Sequence, residues 1–328
     1  MKHIILSSEL TKTMGLYVCG KSAFTSEEEL VKIDFCPKLV HARFVANEKI
    51  EEEPSLSILQ GRYFKTRCLG LDHIDGEPVT DLPRQSNNKK KISHVRIDER
   101  VTDFKKLSAE RGLQVIEGWN TRMPLAAKYA DMTYAGEHYR VWMKDEADVF
   151  PTIIDYSTFG IINLKLSKDV GNEYFDVRNP HYTSAACWGT PWNISKNEAL
   201  FQHFIARNMD VKTILDFHAN DLKNNPEMED QSERIKTVLT DQVIRLSENT
   251  TLFYIIFGHD PSTPQRPQQK VIEYKWNSGR DAVLRELVVE AVNRWVTAEA
   301  EGWKAEPIPH ACKSCPIKCE FKTKDIQV

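Results

Sequence analysis

Three cysteines near the end of the sequence, Cys312, Cys315 and Cys319, are spaced C-x2-C-x3-C, with His310 just upstream. Thiolates this close together share a metal ion or an iron–sulfur cluster more often than they form a disulfide. Three thiolates leave one coordination position to fill. His310 would complete a zinc site. Cys36 or Cys68 would complete a four-cysteine one.

A second set of residues has the spacing for phosphodiester chemistry. Hydrolysis with Mg2+ or Mn2+ needs carboxylates to hold the metal and a cation beside the attacking water. Side chains at i and i+2 of a strand face the same way. Asn163 and Lys165 would therefore line one site, with Asp148 on the preceding strand and Glu146 and Asp155 nearby. Asp148, Asp155 and Asn163 are the candidate Mg2+ or Mn2+ ligands. A later stretch carries an alternative catalytic set, Asp260, Glu273 and Lys275, with every acid intact. Using it would leave the core without a following strand.

The elements that must position these groups read as follows. Residues 54–70 and 101–130 are expected to be helical, the latter broken by Gly112 and Pro124. Residues 137–143 alternate like a half-buried strand. Asp145 to Ala147 is a plausible turn, and strands follow over 148–154 and 159–166. Helices are expected over 195–208, carrying Gln202, and over 230–247. Residues 251–257 and 270–276 form a hairpin, and 280–300 a strong amphipathic helix. Lys89, Lys90 and Lys91 end a polar loop that could steer phosphates. Strands flanked by helices imply an α/β fold with a mixed sheet. The division expected is a largely helical part over 1–130 carrying Cys36, a core over 131–305, and a Cys-rich segment over 306–328, together one compact unit.

The order of these motifs resembles the PD-(D/E)XK nuclease superfamily, most nearly its phage and bacterial recombination exonuclease branch. Lys144 to Pro151 followed by Ile161 to Asp169 resembles its core, and Leu59 to Lys65 its early helix. Gln202 resembles its helical Gln motif. Phe35-Cys36-Pro37-Lys38 with the final cysteine triplet resembles the iron–sulfur subgroup found in CRISPR-associated exonucleases and in one helicase–nuclease subunit. The resemblance implies a restriction-endonuclease-like fold and a 4Fe–4S cluster on Cys36, Cys312, Cys315 and Cys319, with zinc the alternative. It implies a metal-dependent DNA exonuclease of recombination, repair or phage replication, partnered by DNA and by a helicase or recombination protein. Asp148, Asn163, Lys165 and Gln202 would be its catalytic residues. Two positions depart from the family's pattern. Asn163 stands where the second acid belongs, and Lys65 where the early helix carries an acid. These departures point to the alternative, a nuclease fold that binds DNA or a partner without cutting.

The composition is that of a globular chain with a real core. Of 328 residues 41% are apolar and 28% charged, and the net charge of −3 excludes a generally basic nucleic-acid coat. Apolar runs fall short of the roughly 18 residues that span a bilayer, and the start lacks a signal-peptide pattern. Seven cysteines in such a chain point to a reducing compartment. The expected location is therefore the cytoplasm, and the resemblance implies that of a bacterial or phage-infected cell. A cluster joining residue 36 to 312 would close a very long loop and couple metal binding to folding, which makes its expected role structural.

Overall fold

The computed structural model describes residues 1–20, 28–48, 55–71, 73–74, 77–78, 82, 92–116, 120–155, 158–167, 170, 191–208, 251–259, 269–306, 308, 315 and 317. The expected helix over 230–247, the lysine run at 89–91, and His310, Cys312, Cys319 and Asp260 lie outside them. The elements in chain order are β1 (Lys2–Ser7), α1 (Ser8–Thr13), β2 (Leu16–Gly20), β3 (Glu28–Lys32) and α2 (Pro37–Val40), which runs on as a π-helical turn (His41–Val45). Then come α3 (Leu56–Leu69), the short pair β4 (His73–Ile74) and β5 (Glu77–Pro78), α4 (Ile92–Glu110), β6 (Thr121–Tyr134), β7 (Glu137–Ile154) and β8 (Thr158–Ser167). The chain finishes with α5 (Pro191–Asn208), β9 (Thr251–Gly258), β10 (Gln269–Tyr274) and α6 (Ser278–Ala300).

Among the described residues six strands form one mixed sheet. The long β7 pairs antiparallel with β6 and parallel with β1 along its first half. Its end pairs antiparallel with β8, β8 runs parallel to β9, and β10 closes antiparallel on β9. The two faces follow the period of two that strands impose. On β9, Leu252, Tyr254 and Ile256 face one core with Leu10 of α1, Leu200 and Ile205 of α5 and Leu287 and Val292 of α6. Phe253, Ile255 and Phe257 face the other core with Tyr63 and Phe64 of α3 and Ile97 and Phe104 of α4. All eight residues of β9 are buried, as a strand covered on both faces requires. The fold is thus α/β with a mixed sheet flanked by helices. Among the described residues no helix is long and apolar enough to cross a membrane.

Two local expectations are corrected. Residues 101–130 are not one broken helix. The helix stops at Glu110, Gly112 takes a left-handed φ of 61°, and the amide of Leu113 bonds back to Ser108. Beyond it Met123, Leu125 and Ala127 alternate into the core, so the segment is strand β6. With β1 and the β2–β3 hairpin, this means that the first 130 residues contribute strands as well as helices. Asp145 to Ala147 is not a turn either. β6 continues to pair opposite it, Leu125 with Asp145 and Met123 with Ala147, and the ladder carries β7 straight through.

Candidate functional site

The segment that carries Asp148 is held in register against β8, where Val149 faces Ile162 and the pairing shifts before Thr152. That puts Asp148 beside Asn163. The amide of Leu164 donates to Asp148 Oδ2 at 2.7 Å, and Asn163 Oδ1 lies 3.5 Å from the Asp148 amide. Ile161 belongs to the core under α5, so Asn163 and Lys165, two and four residues on, face that helix. α5 answers with Glu198 and Gln202, one turn apart on one side. Asn163 Nδ2 donates to Gln202 Oε1 at 2.7 Å, and Gln202 Nε2 donates to the Glu146 carbonyl at 2.8 Å. Lys165 Nζ reaches Glu198 Oε2 at 2.7 Å and lies over the Tyr254 ring. Tyr254 is itself hydrogen-bonded to Asn163.

The opposite wall comes from α3. Ser55 caps its start and Gly70, at φ 73°, ends it. Lys65, on its third turn, places Nζ 2.8 Å from Asp148 Oδ1. Asp148 is 4% exposed, so both of its oxygens are engaged within the protein, one by an ammonium and one by a backbone amide. Burial alone would lower the Lys65 pKa. The carboxylates of Asp148 and Glu198 reverse this, and the net direction is upward.

The structure thus brings Asp148, Asn163, Lys165 and Gln202 into one hydrogen-bonded group. It brings Lys65, noted from sequence as a departure, to Asp148 as its ion-pair partner, and adds residues not singled out from sequence: Glu198, Tyr254, Asp145 and Lys12. Burial raises the Asp145 carboxyl to about 7, with the charge of Glu198 adding to it, while Lys12 and the Glu146 amide act against it. Burial lowers the Lys12 ammonium, and Glu198 partly offsets this. Burial would also raise Glu198, but Lys165, Lys12 and Lys65 outweigh it and hold the carboxyl below its ordinary range.

Other candidates do not join the group. Asp155 sits past the end of β7 at φ 52°, pairs with Arg111 at 3.4 Å and is 54% exposed. Six strand residues lie between it and Asp148, roughly 20 Å along the chain, so it cannot share a metal with Asp148. Glu146 turns outward to Arg122. Of the alternative set, Glu273 and Lys275 form an exposed pair 3.2 Å apart at the edge of the sheet, away from any core wall.

Whether a divalent ion fits follows from these contacts. Lys65 already neutralises the Asp148 oxygen that would face the ion, and Asn163 brings no charge. Among the described residues no group of three or more His, Cys, Asp or Glu side chains is placed to hold a metal ion. A Mg2+ or Mn2+ ion does not fit this arrangement. For the cysteines, Cys36 begins α2 and is half-buried. Cys315 packs with Ile317 against Leu39 and Ala42, one and two turns after Cys36. Cys68 is buried in the α3–α4 core, apart from the Cys315 cluster, and burial pushes its thiol pKa well up.

Comparison with known families finds no matching family model, and none of the curated proteins matches. Among solved structures the chain is similar to one described as the crystal structure of SSO0001. The identity is 10%, over 88% of this chain and 96% of that one, with a TM-score of 0.28. A likeness at that level carries no argument about function.

Proposed function

We propose that this protein uses a nuclease-like core to bind DNA without cutting it. The observation that carries the reading is the 2.8 Å pair of Lys65 with Asp148. An ammonium on a fixed side chain supplies the positive charge that a metal-dependent nuclease takes from its ion. It has no open coordination position from which to present a water. The DNA half of the reading rests on the order of the motifs, which resembles the PD-(D/E)XK exonucleases, and on two lysines at the site. Lys65 and Lys165 are 29% and 26% exposed and can offer charge to a phosphate as well as to their carboxylates. On the same resemblance the terminal cysteines hold a structural 4Fe–4S cluster, supported by the proximity of Cys315 to the helix that Cys36 begins.

The competing reading, a metal-dependent exonuclease, has one observation in its favour. Glu198 places a carboxylate beside Lys165 and Gln202, on the side where Asn163 lacks one. Melting in the presence of Mn2+ separates the two. The parent should show no Mn2+-dependent rise in Tm, whereas Lys65→Ala combined with Asn163→Glu should acquire one. A rise in the parent that Asp148→Asn abolishes would overturn the non-cutting reading.

A further inference from the structure

A second polar cluster lies on the other side of α5, away from Asp148. His203 is 1% exposed and stacks on Trp276, with ring centroids 5.7 Å apart and planes 17° from parallel. Its edge meets Tyr274 at 5.5 Å. Arg207, one turn further along α5, places its guanidinium 5.2 Å from the Trp276 ring centre, and Arg280, in the first turn of α6, sits 3.8 Å over the Tyr274 ring. Glu28 is shared by three groups: Tyr274 Oη at 3.2 Å, Arg280 Nε at 3.5 Å and Lys196 Nζ at 3.7 Å. Arg207 has no carboxylate partner among the described residues. Both ring nitrogens of His203 and the indole nitrogen of Trp276 are buried without a hydrogen-bond partner among the described residues.

Buried donors without an acceptor are costly, and two of them, the Trp276 N–H and the single N–H of His203, beside the guanidinium of Arg207 call for an acceptor. Indole and guanidinium are donors only, and a neutral imidazole contributes one N–H. Burial, with the charges of Arg280 and Arg207, lowers the His203 pKa to about 3, so the ring is neutral at physiological pH. The Trp276 ring is already engaged within the protein, by the stacked His203 and by Arg207. The complement is a compact anion with several acceptor oxygens, and the guanidinium fork matches phosphate in particular.

We propose that Arg207, Arg280, Trp276 and His203 form a phosphate-binding site, separate from the Asp148 site, that takes a backbone phosphate of a bound DNA strand. The DNA part rests on the function proposed above; the phosphate chemistry does not. Because α5 carries Gln202 toward one site and His203 toward the other, a strand crossing this helix would contact both.

The test uses the full-length protein with a fluorescent single-stranded oligodeoxynucleotide and, separately, inorganic phosphate. Arg207→Ala should weaken oligonucleotide binding about tenfold and reduce the salt slope of log K by about 0.7, with Tm unchanged. Trp276→Phe, which keeps the ring and removes the N–H, should weaken binding less. Lys106→Ala, on exposed α4, should do neither. Phosphate should raise the Tm of the parent but not of Arg207→Ala. Oligonucleotide binding equally insensitive to Arg207→Ala and Lys106→Ala overturns this site and leaves the DNA reading standing. A phosphate effect that needs Arg207, without oligonucleotide binding, supports the site and overturns the DNA reading. Binding of neither ligand overturns both.

Discussion

At the scale of single residues, the decisive feature is the internal ion pair of Lys65 with Asp148. Asp148 is buried, and a buried carboxylate without a counter-charge is costly enough to unfold a marginal domain. Lys65 supplies that charge from α3, and the Leu164 amide supplies the second hydrogen bond. Asn163 fits the same logic. A second carboxylate so close to Asp148 would need a cation, whereas an amide can accept near the Asp148 backbone and donate to Gln202 with no net charge. Asp145 shows what happens where neutralisation is incomplete. Its carboxyl is raised to about 7 in the fold, against about 3.9 in an unfolded chain. The folded state therefore holds the proton more tightly. Stability from this group is fully present below about pH 4 and is lost as pH rises through about 7. Asp145→Asn should therefore raise Tm by an amount that grows from pH 5 to pH 8, followed by thermal melting across that range. A gain that shrinks toward pH 8 would contradict the assignment.

At the scale of elements, α5 ties the site to its surroundings, since one helix serves three walls. Glu198 and Gln202 face β8, His203 and Arg207 face β10 and α6, and Asn197 ties the helix to the N-terminal segment. The buried Asn197 amide accepts from the Val18 N–H at 3.1 Å and donates to Leu16 O and Thr11 Oγ1, both at 2.9 Å. Asn197→Ala would strand a buried N–H and a buried carbonyl, so a loss of about 2–4 kcal/mol is expected, measured by denaturant unfolding. A loss below about 1 kcal/mol would show that α5 is anchored by packing alone. This element also marks what the sequence disclosed. The i, i+2 pair Asn163 and Lys165 was readable from strand periodicity, and Glu198 could have been found from its one-turn spacing to Gln202. Lys12 could not, because α1 reaches the site through the tertiary fold and no local pattern reports that. Asp145 was obscured because Asp-Glu-Ala looks like a turn, yet pairing with β6 overrides the local preference. The strand β6 was missed because Gly112 and Pro124 suggested a broken helix, while the alternation of Met123, Leu125 and Ala127 was the better signal.

At the scale of the whole molecule, the first strand and the described residues after α6 return to one region. β1 pairs with β7, and Lys2 meets Glu299 near the end of α6 at 3.3 Å. Arg294 of α6 donates to the carbonyls of Met14 and Ile33 at 2.6 and 2.8 Å. Past α6, Trp303 packs on His41 and Trp295, and Cys315 settles on Leu39 and Ala42. The C-terminal segment is thus already led back to the helix that Cys36 begins, which is the geometry a stapling cluster would use. Cys36→Ser and Cys315→Ser should each lower iron bound per chain and lower Tm, read by metal analysis and melting of anaerobically purified protein. Undiminished iron in both variants would place the cluster elsewhere. The spacing of the terminal cysteines was evident from sequence, whereas the return path was not, since it depends on α6 crossing the N-terminal hairpin.

Whether the Asp148 site cuts DNA is decided by one gel. End-labelled linear DNA is incubated with the cluster-loaded protein and Mn2+, beside Lys165→Ala, and both mobility and length are read. With the parent protein the DNA should be retarded but full length. Shortened DNA with the parent and intact DNA with Lys165→Ala would contradict the non-cutting reading and make this site a working nuclease.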